Sequence, residues 1–291
     1  MAKEKKLKLK SGTRLNRSLG GDIVLFLFLA LFGSFSAWPM IFVINNAFKP
    51  LNEILLFPPR LFVRNPSLNN FRDLVSLMSN SWVPFSRYVF NTLFITLLGT
   101  VGSVFISSLA AFPLAKFRFP GSRIMSKMII YSLMFSAAVT EIPSYIVISK
   151  LGLLDSYGAI LLPTFGTTLG LYLMQNFIGQ IPDDLIESAR IDGAGDFKIY
   201  WKIVMPLARP AWLTLVILQF QGLWGTTGGS YIYSEKLKPL SYALSQIVDG
   251  GIARTGVAAA VALFMLIVPL SVFIISQSNV METMATSGIK E

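Results

Sequence analysis

Long stretches without a charged residue are the feature that most limits how this chain can fold. Five stretches of 25 to 28 residues contain no Asp, Glu, Lys or Arg, and a sixth, 128–149, contains only Glu141. An α-helix needs roughly 20 apolar residues to cross the ~30 Å hydrocarbon core of a bilayer. The sequence therefore predicts six membrane spans. They lie near 23–44, 88–112, 128–149, 157–178, 211–231 and 257–278.

The composition indicates the same class of protein. Charged residues make up 14% of the 291 residues, whereas a typical soluble domain has roughly 25%. Six buried helices in a soluble protein of this length would leave too few polar faces to meet water. We therefore predict an all-α integral membrane protein, in which residues 22–291 form one transmembrane domain with six spans.

Basic residues indicate which side of the membrane each loop faces. Because the number of spans is even, both termini lie on one side, and the segments on that side carry 16 Lys and Arg residues against 9 on the other. The positive-inside rule places both termini in the cytoplasm, including a basic tail over 1–21. The net charge of +10 is then explained by topology and by attraction to anionic membrane lipid, with no need for nucleic-acid binding.

The residue types exclude several kinds of chemistry. The chain has no Cys and no His, which excludes thiol nucleophiles, Cys or His metal sites and histidine proton relays. It also lacks the G-x-x-x-x-G-K-[ST] sequence that cradles nucleotide phosphates. We expect a transport subunit with no catalytic residue, no metal site and no cofactor of its own, so a partner would bind any ATP that is used.

The largest predicted cytoplasmic loop, 179–210, has the pattern of a helix–turn–helix. In its first helix Glu187 and Arg190 are three residues apart and can meet on one face. Gly193 and Gly195 permit the positive φ that ends a helix and turns the chain. The sequence therefore predicts a rigid protrusion with a glycine-rich tip.

The second helix of this loop is predicted to begin at Asp196, whose side chain can cap it. Pro206 and Pro210 are expected to end it before the fifth span. Its apolar stripe, which would face the helix bundle, is predicted to contain Phe197, Tyr200 or Trp201, and Val204.

The same loop resembles the cytoplasmic signature of ATP-binding-cassette importer permeases. That signature reads Glu-Ala-Ala, three residues, Gly, nine residues, Ile, one residue and Leu-Pro. This chain has Glu187-Ser188-Ala189, Gly193, Ile203 and Met205-Pro206 at the same spacing. The resemblance implies that the loop docks onto a separate ATPase. The docking residues it implies are Glu187, Ser188, Ala189, Asp192, Gly193, Ala194, Gly195, Ile203 and Pro206.

Other segments resemble the carbohydrate-uptake permeases of the maltose type, in particular the shorter of the two permease chains. They are AAFPLAKFRFPGS at 110–122, KLGLLDSYGAILLP at 150–163 and IVMPLARPAW at 203–212. This resemblance implies the type I importer architecture in a bacterial inner (cytoplasmic) membrane. It implies a sugar delivered by an extracytoplasmic binding protein, a second homologous permease subunit, and two ATPase domains that hold ATP and Mg²⁺. Where the family often has Trp-Asn-Asp or Trp-Asn-Glu, this chain has Trp224-Gly225-Thr226.

A few polar residues within or beside the predicted spans are candidates for a substrate path. They are Glu141, Gln219, Gln221, Trp224 and Asn46. An acid inside a membrane is costly and often functional, but Glu141 can equally satisfy backbone groups freed near Pro143. Gln and Trp side chains suit sugar hydroxyls and ring faces, and the alternative is that they hold helices together.

Two other classes of function stay open on the sequence. An ion-coupled secondary transporter or channel would also have six spans and an intramembrane acid. An ATP-driven permease could instead carry a solute that is not a sugar. An intramembrane enzyme is disfavoured, because the spans contain no His, no Cys and no pair of acidic residues.

Overall fold

The computed structural model describes residues 19–79, 83–251 and 254–287. The regular secondary structure of this part of the chain is helical, and the described residues form no β-strand. The predicted all-α class is therefore confirmed. Most of the predicted basic tail, 1–21, lies outside the described residues.

Helices of very different lengths follow one another along the chain. They are α1 Leu19–Phe48, α2 Leu51–Ile54, α3 Asn69–Ser79, α4 Phe85–Lys116, α5 Ser122–Ser132, α6 Ala137–Lys150, α7 Gly158–Phe165, α8 Thr168–Gly179, α9 Asp183–Ile191, α10 Asp196–Ile199, α11 Met205–Leu207, α12 Arg209–Trp224, α13 Leu240–Val248 and α14 Thr255–Ser287. A π-helical turn, Tyr200–Val204, joins α10 to α11. Two 3₁₀ turns, Gly229–Tyr231 and Glu235–Leu237, lie between α12 and α13.

Three of the described helices are long and apolar enough to cross a membrane on their own. These segments are Gly20–Phe48, Phe85–Lys116 and Thr255–Ser276, and they coincide with the first, second and last predicted spans. A fourth is added if Asp196–Leu207 and Arg209–Trp224, which meet at a bend of 77°, are counted as one broken span.

The three middle predicted spans are not continuous helices. Span 128–149 is divided into α5 and α6, and span 157–178 into α7 and α8. Helix α12 ends at Trp224, well before the predicted end of its span. The chain beyond it turns, because Gly228 and Gly229 adopt positive φ, which a right-handed helix does not contain.

Helix α4 lies at the centre of the fold and packs against α7, α8 and α12. Its packed face is built from small residues. A β-carbon on Gly99 would lie 2.6 Å from Leu223, and one on Gly102 would lie 2.2 Å from Phe165. Helices in membranes approach closely where such small residues meet, so glycine is required at both positions of α4.

The long connection between α1 and α4 contains the helix α3. Helix α3 is held against the end of α1 by Asn70. The side-chain amide of Asn70 donates to the carbonyl oxygens of Ala47 (3.0 Å) and Lys49 (2.7 Å). The connection is therefore anchored to the first long helix.

The two glycines of the G-x-x-x-G sequence at 166–170 provide a matched test of this packing. A β-carbon on Gly170 would lie 2.9 Å from both Leu215 and Ser107, whereas the nearest atom to one on Gly166 is a carbonyl oxygen at 3.9 Å. We expect Gly170→Leu to destabilise the fold by about 1–3 kcal/mol, since overpacking forces neighbours apart, and Gly166→Leu to have little effect. Thermal unfolding in detergent, followed by tryptophan fluorescence, measures the difference. Equal melting temperatures for the two variants would contradict this account of the packing.

Candidate functional site

The predicted helix–turn–helix is present as a hairpin over residues 183–207, with α9 as its first arm. The turn at its tip depends on Gly193, whose φ is +77°. The Ala194 N–H donates to the Ala189 carbonyl (2.9 Å) and the Gly193 N–H to the Arg190 carbonyl (3.0 Å). This is the hydrogen-bond pattern of a Schellman motif, which satisfies the last carbonyls of a helix. The tip is therefore a fixed turn.

Gly195 differs from Gly193, and here the expectation of two positive φ values is wrong. The φ of Gly195 is −69°, and this residue is the N-cap of the second arm. Asp196 lies in the first helical turn and not at the cap. Its carboxylate accepts a hydrogen bond from the Arg190 guanidinium at 3.1 Å. Arg190 therefore ties the two arms together, and does not form the predicted pair with Glu187.

The buried face of the second arm also differs from the predicted stripe. Ile199, Tyr200 and Val204 are fully buried, whereas Phe197 and Trp201 are 65% and 45% exposed. The π-helical turn over Tyr200–Val204 allows Ile199 and Val204, which are five residues apart, to share the buried face. The Tyr200 hydroxyl lies 2.6 Å from the Ser108 hydroxyl of α4, which anchors this arm to the central helix.

The second arm ends at Leu207, between the two prolines and before the fifth span, as predicted. Pro206 lies in α11, which continues the helix from Asp196, so its missing N–H removes one hydrogen bond from the last turn of the arm. The chain bends at Ala208, between α11 and α12. Pro210 contributes to the bend, because it cannot donate a hydrogen bond to the Pro206 carbonyl across it.

Lys116, at the end of α4, fastens the root of the hairpin. Its Nζ donates to the Asp183 carboxylate (2.7 Å), to the Gly179 carbonyl (3.3 Å) and to the Ile181 carbonyl. The Lys116 side chain is 4% exposed. Its hydrogen bond and charge hold the pKa of the Asp183 carboxyl below its usual value.

Sequence reasoning missed this role of Lys116. The available signal was a basic residue that directly follows 28 uncharged residues, at the predicted end of a span. A cation there is favoured by the negative end of a helix dipole. The three acceptors, however, lie more than 60 residues further along the chain, so the spacing of residues could not identify them.

The signature residues divide between two faces of the hairpin. Ala189, Ala194 and Ile203 are half-buried and pack against the core cluster around Tyr200. The other signature residues are exposed: Glu187, Ser188, Asp192, Gly193, Gly195 and Pro206. Ile191, next to the tip, is 86% exposed. The small residues thus hold the hairpin to the bundle, and the polar residues and the tip remain accessible.

The structure brings together two of the five residues predicted for a substrate path. Gln221 and Trp224 line one cavity of 460 Å³ between α12 and α14, together with aromatic and aliphatic side chains. Trp224 is 5% exposed, and its indole N–H has no hydrogen-bond partner among the described residues. This cavity combines a ring face with polar groups.

The other three predicted path residues lie elsewhere. The Gln219 amide donates to the Thr167 hydroxyl at 3.3 Å, so this residue joins α12 to the start of α8. The Asn46 side chain accepts a hydrogen bond from the buried Lys49 ammonium at 2.8 Å. Glu141 is exposed on α6. Gln219 and Asn46 therefore form hydrogen bonds within the fold and do not line the cavity.

Comparison with known proteins assigns the chain to a family. The family of binding-protein-dependent transport system inner membrane components matches residues 103–281. The chain belongs to this family. It is therefore a transport permease subunit, which is not itself an enzyme, and an integral protein of the bacterial inner membrane.

Individual relatives extend the match over most of the chain. Protein LplC of Bacillus subtilis is 30% identical over 228 residues, which cover 78% of this chain and 75% of the relative. The polygalacturonan/rhamnogalacturonan transport system permease protein YtcP of the same bacterium is 32% identical, with 78% of each chain covered. The crystal structure of a bacterial ABC transporter involved in the import of alginate shares the fold, with a TM-score of 0.74 at 23% identity over 92% of this chain and 99% of the other.

The contacts of Lys116 generate a test of how the hairpin is held. Lys116→Met removes charge-assisted hydrogen bonds to the Asp183 carboxylate and to the Gly179 and Ile181 carbonyl oxygens, a change that costs about 1.5–3 kcal/mol. We expect amide hydrogen exchange in α9 to become roughly 10- to 100-fold faster, because the hairpin opens locally more often. The matched control is Lys127→Met, which removes an exposed lysine of α5. Unchanged exchange in α9 of the Lys116 variant would show that the hairpin is held by other contacts.

Proposed function

We propose that this chain is the permease subunit of an ATP-driven importer for sugars or oligosaccharides, coupled to a separate ATPase by the hairpin over 183–207. The observation that carries the proposal is the fixed turn at Gly193 in a chain of this family. The turn leaves Ile191 and the exposed signature residues accessible, while the second arm is bonded to α4. A hairpin of this kind can move as one body with a partner.

The proposed topology has six crossings with both termini in the cytoplasm. Helices α1, α4 and α14 supply three crossings. The pairs α5–α6 and α7–α8 and the helix α12 supply the others, with interruptions that a bilayer tolerates where backbone packs on protein or lines a cavity. The distribution of 16 basic residues against 9 supports this orientation. It also places the hairpin and the loop between α4 and α5 on the same side.

Sugar is the proposed cargo, and two observations support it. The relative YtcP, which matches over 78% of this chain, is named for polygalacturonan and rhamnogalacturonan transport. The cavity between α12 and α14 is lined by the Trp224 side chain and by Gln221. Sugars bind by stacking on aromatic rings and by hydrogen bonds to a few placed polar groups.

The proposed assembly contains further subunits. A binding protein outside the membrane would deliver the sugar, and the family description names dependence on such a protein. A second homologous permease chain would complete the pathway, and two ATPase domains would hold ATP and Mg²⁺. Because nucleotide must bind one conformation better than the other to do work, closure of the ATPases would have to move the hairpin.

The cargo can be identified from the partner binding protein. Calorimetry of the binding protein encoded beside this chain, against a panel of oligosaccharides and small solutes, gives the ligand class. Uptake of that ligand into vesicles containing the whole complex should require ATP and should persist when an uncoupler removes ion gradients. Uptake that collapses with the uncoupler while ATP is maintained would favour an ion-coupled transporter. A binding protein that takes only solutes other than sugars would overturn the sugar assignment.

The docking role of the hairpin is tested by Gly193→Asp. The φ of +77° strains a residue with a side chain by roughly 1–2 kcal/mol, and the new carboxylate would stand at the contact surface. We expect uptake to fall to background and ATP hydrolysis to lose its dependence on the binding protein, with unchanged amounts of the chain in the membrane. Transport and stimulated hydrolysis are measured together in proteoliposomes.

A control for backbone strain alone is Gly121→Asp. Gly121 has a φ of +90° and open space around it, in the loop between α4 and α5. This variant should keep its uptake, since the hairpin is untouched. Normal transport by Gly193→Asp, or equal losses in both variants, would argue against docking through the tip.

A further inference from the structure

Three tyrosines from distant parts of the sequence meet at one place on the surface. The ring of Tyr145, on α6, is stacked at 6.2 Å and 28° on the ring of Tyr231. The Tyr145 hydroxyl lies 2.8 Å from the Tyr233 hydroxyl. Tyr233 is 57% exposed. In the proposed topology this cluster lies at the outer side of the membrane.

The loop that carries two of these tyrosines is held in place by Asp155. The Asp155 N–H donates to the Tyr231 carbonyl at 2.8 Å. Its carboxylate accepts hydrogen bonds from the N–H groups of Tyr233 (2.9 Å) and Ser234 (2.7 Å) and from the Ser234 hydroxyl. The rings are therefore positioned before any ligand arrives, which lowers the ordering cost of binding.

The backbone and charge of Asp155 agree with this positioning role. Its φ is +58°, an uncommon conformation for a residue other than glycine, so the surrounding contacts must hold it. The hydrogen bonds from Ser234 lower the pKa of the Asp155 carboxyl. The carboxylate consequently stays charged, and the loop stays fixed, throughout the neutral pH range.

Glu141 lies one helical turn before Tyr145, so the two residues share a face of α6. Both precede the outer end of the helix at Lys150. Glu141 thus places an exposed carboxylate one helical turn inward of the tyrosine cluster. Ring faces stack on the apolar face of a sugar, and hydroxyl and carboxylate oxygens accept hydrogen bonds from its hydroxyls.

We propose that Tyr145, Tyr231 and Tyr233 form a sugar-binding subsite at the outer mouth of the pathway, with Glu141 as its inner hydrogen-bond acceptor. The subsite rests on the proposed function and names where the sugar first contacts this chain. Tyrosine is also common at membrane surfaces, where single rings face the lipid headgroups. Three rings converge from two segments, and the hydrogen bonds of Asp155 fix the loop that carries two of them, so together they form a surface shaped for a ligand.

The test uses the full complex, with its binding protein for uptake and without it for binding. The probes are trigalacturonate, N,N′-diacetylchitobiose and maltotriose. Saturation-transfer difference NMR on the solubilised complex, without the binding protein, detects weak contact with any of the three. Uptake and ATP hydrolysis are then measured in proteoliposomes for the saccharide that the wild-type complex transports.

Tyr231→Ala should weaken saccharide binding about tenfold, which corresponds to about 1.4 kcal/mol, and should lower uptake per ATP hydrolysed. Tyr231→Trp should restore both, because it keeps a stacking face. Glu141→Gln should weaken binding by a smaller factor. The control is Tyr131→Ala, which removes a tyrosine of α5 that is 59% exposed and lies outside the cluster, and it should behave as wild type.

The outcomes separate the subsite from the proposed function. If the wild-type complex transports one probe and Tyr231→Ala equals wild type, the subsite is overturned while the function stands. If Tyr231→Ala no longer co-purifies with the second permease chain, the cluster is an assembly contact and the subsite is overturned. If the wild-type complex binds and transports none of the probes and its binding protein takes only solutes other than sugars, the sugar assignment fails and the subsite fails with it.

Discussion

Close packing around α4 is the constraint on which the rest of this structure depends. Lipid tails are as apolar as leucine, so helices in a bilayer gain little from burying apolar surface and associate where backbones can approach. Gly99 and Gly102 allow that approach on α4, and Gly170 allows it from α8. Short hydroxyl side chains fill the remaining positions of the same face, among them Thr96, Thr100, Ser103 and Ser107, each at most 5% exposed. Larger residues there would separate α4 from the helices that it positions.

Helix α4 also connects the two ends of the molecule. At one end the Asn91 amide donates to the carbonyl oxygens of Lys236 and Lys238, at 2.9 and 2.8 Å. At the other end Ser108 and Lys116 hold the hairpin. Both sets of contacts are made by one continuous helix of 32 residues, so under the proposed coupling a displacement of the hairpin would reach the loop before α13 through α4. The same helix therefore gives the proposed coupling a physical route across the membrane.

Sequence patterns predicted the parts of this fold that are determined locally. Helices α1, α4 and α14 follow from long apolar stretches, and the turn of the hairpin follows from Gly193. The π-helical turn after Ile199 could not be predicted from periodicity, since it is itself a departure from α-helical spacing. The break between α5 and α6, over residues 133–136, contains no Gly or Pro that could have signalled it.

The candidate site was also predicted only in part: the hairpin was located from the sequence, but the long-range contacts were not. The signature at 187–206 lies within one short stretch, and its spacing was sufficient to locate the hairpin. The Lys116 contacts and the Tyr145–Tyr233 pair join residues that are 63 or more positions apart. Of the proposed path residues, Gln221 and Trp224 share a cavity because they are three apart on one helix, whereas Gln219 faces the opposite direction.

The residue types of the hairpin follow from two physical requirements. The hairpin must lie close to the bundle, which explains the half-buried Ala189 and Ala194 on the face toward Tyr200. Under the proposed coupling it must also keep its shape while a partner moves it, and the Schellman turn and the Arg190–Asp196 contact favour a fixed shape. A flexible loop would absorb such a movement through its backbone dihedrals and transmit little of it. Small residues on the inner face and a fixed turn at the tip are therefore the features that would let the hairpin transmit force in the proposed assembly.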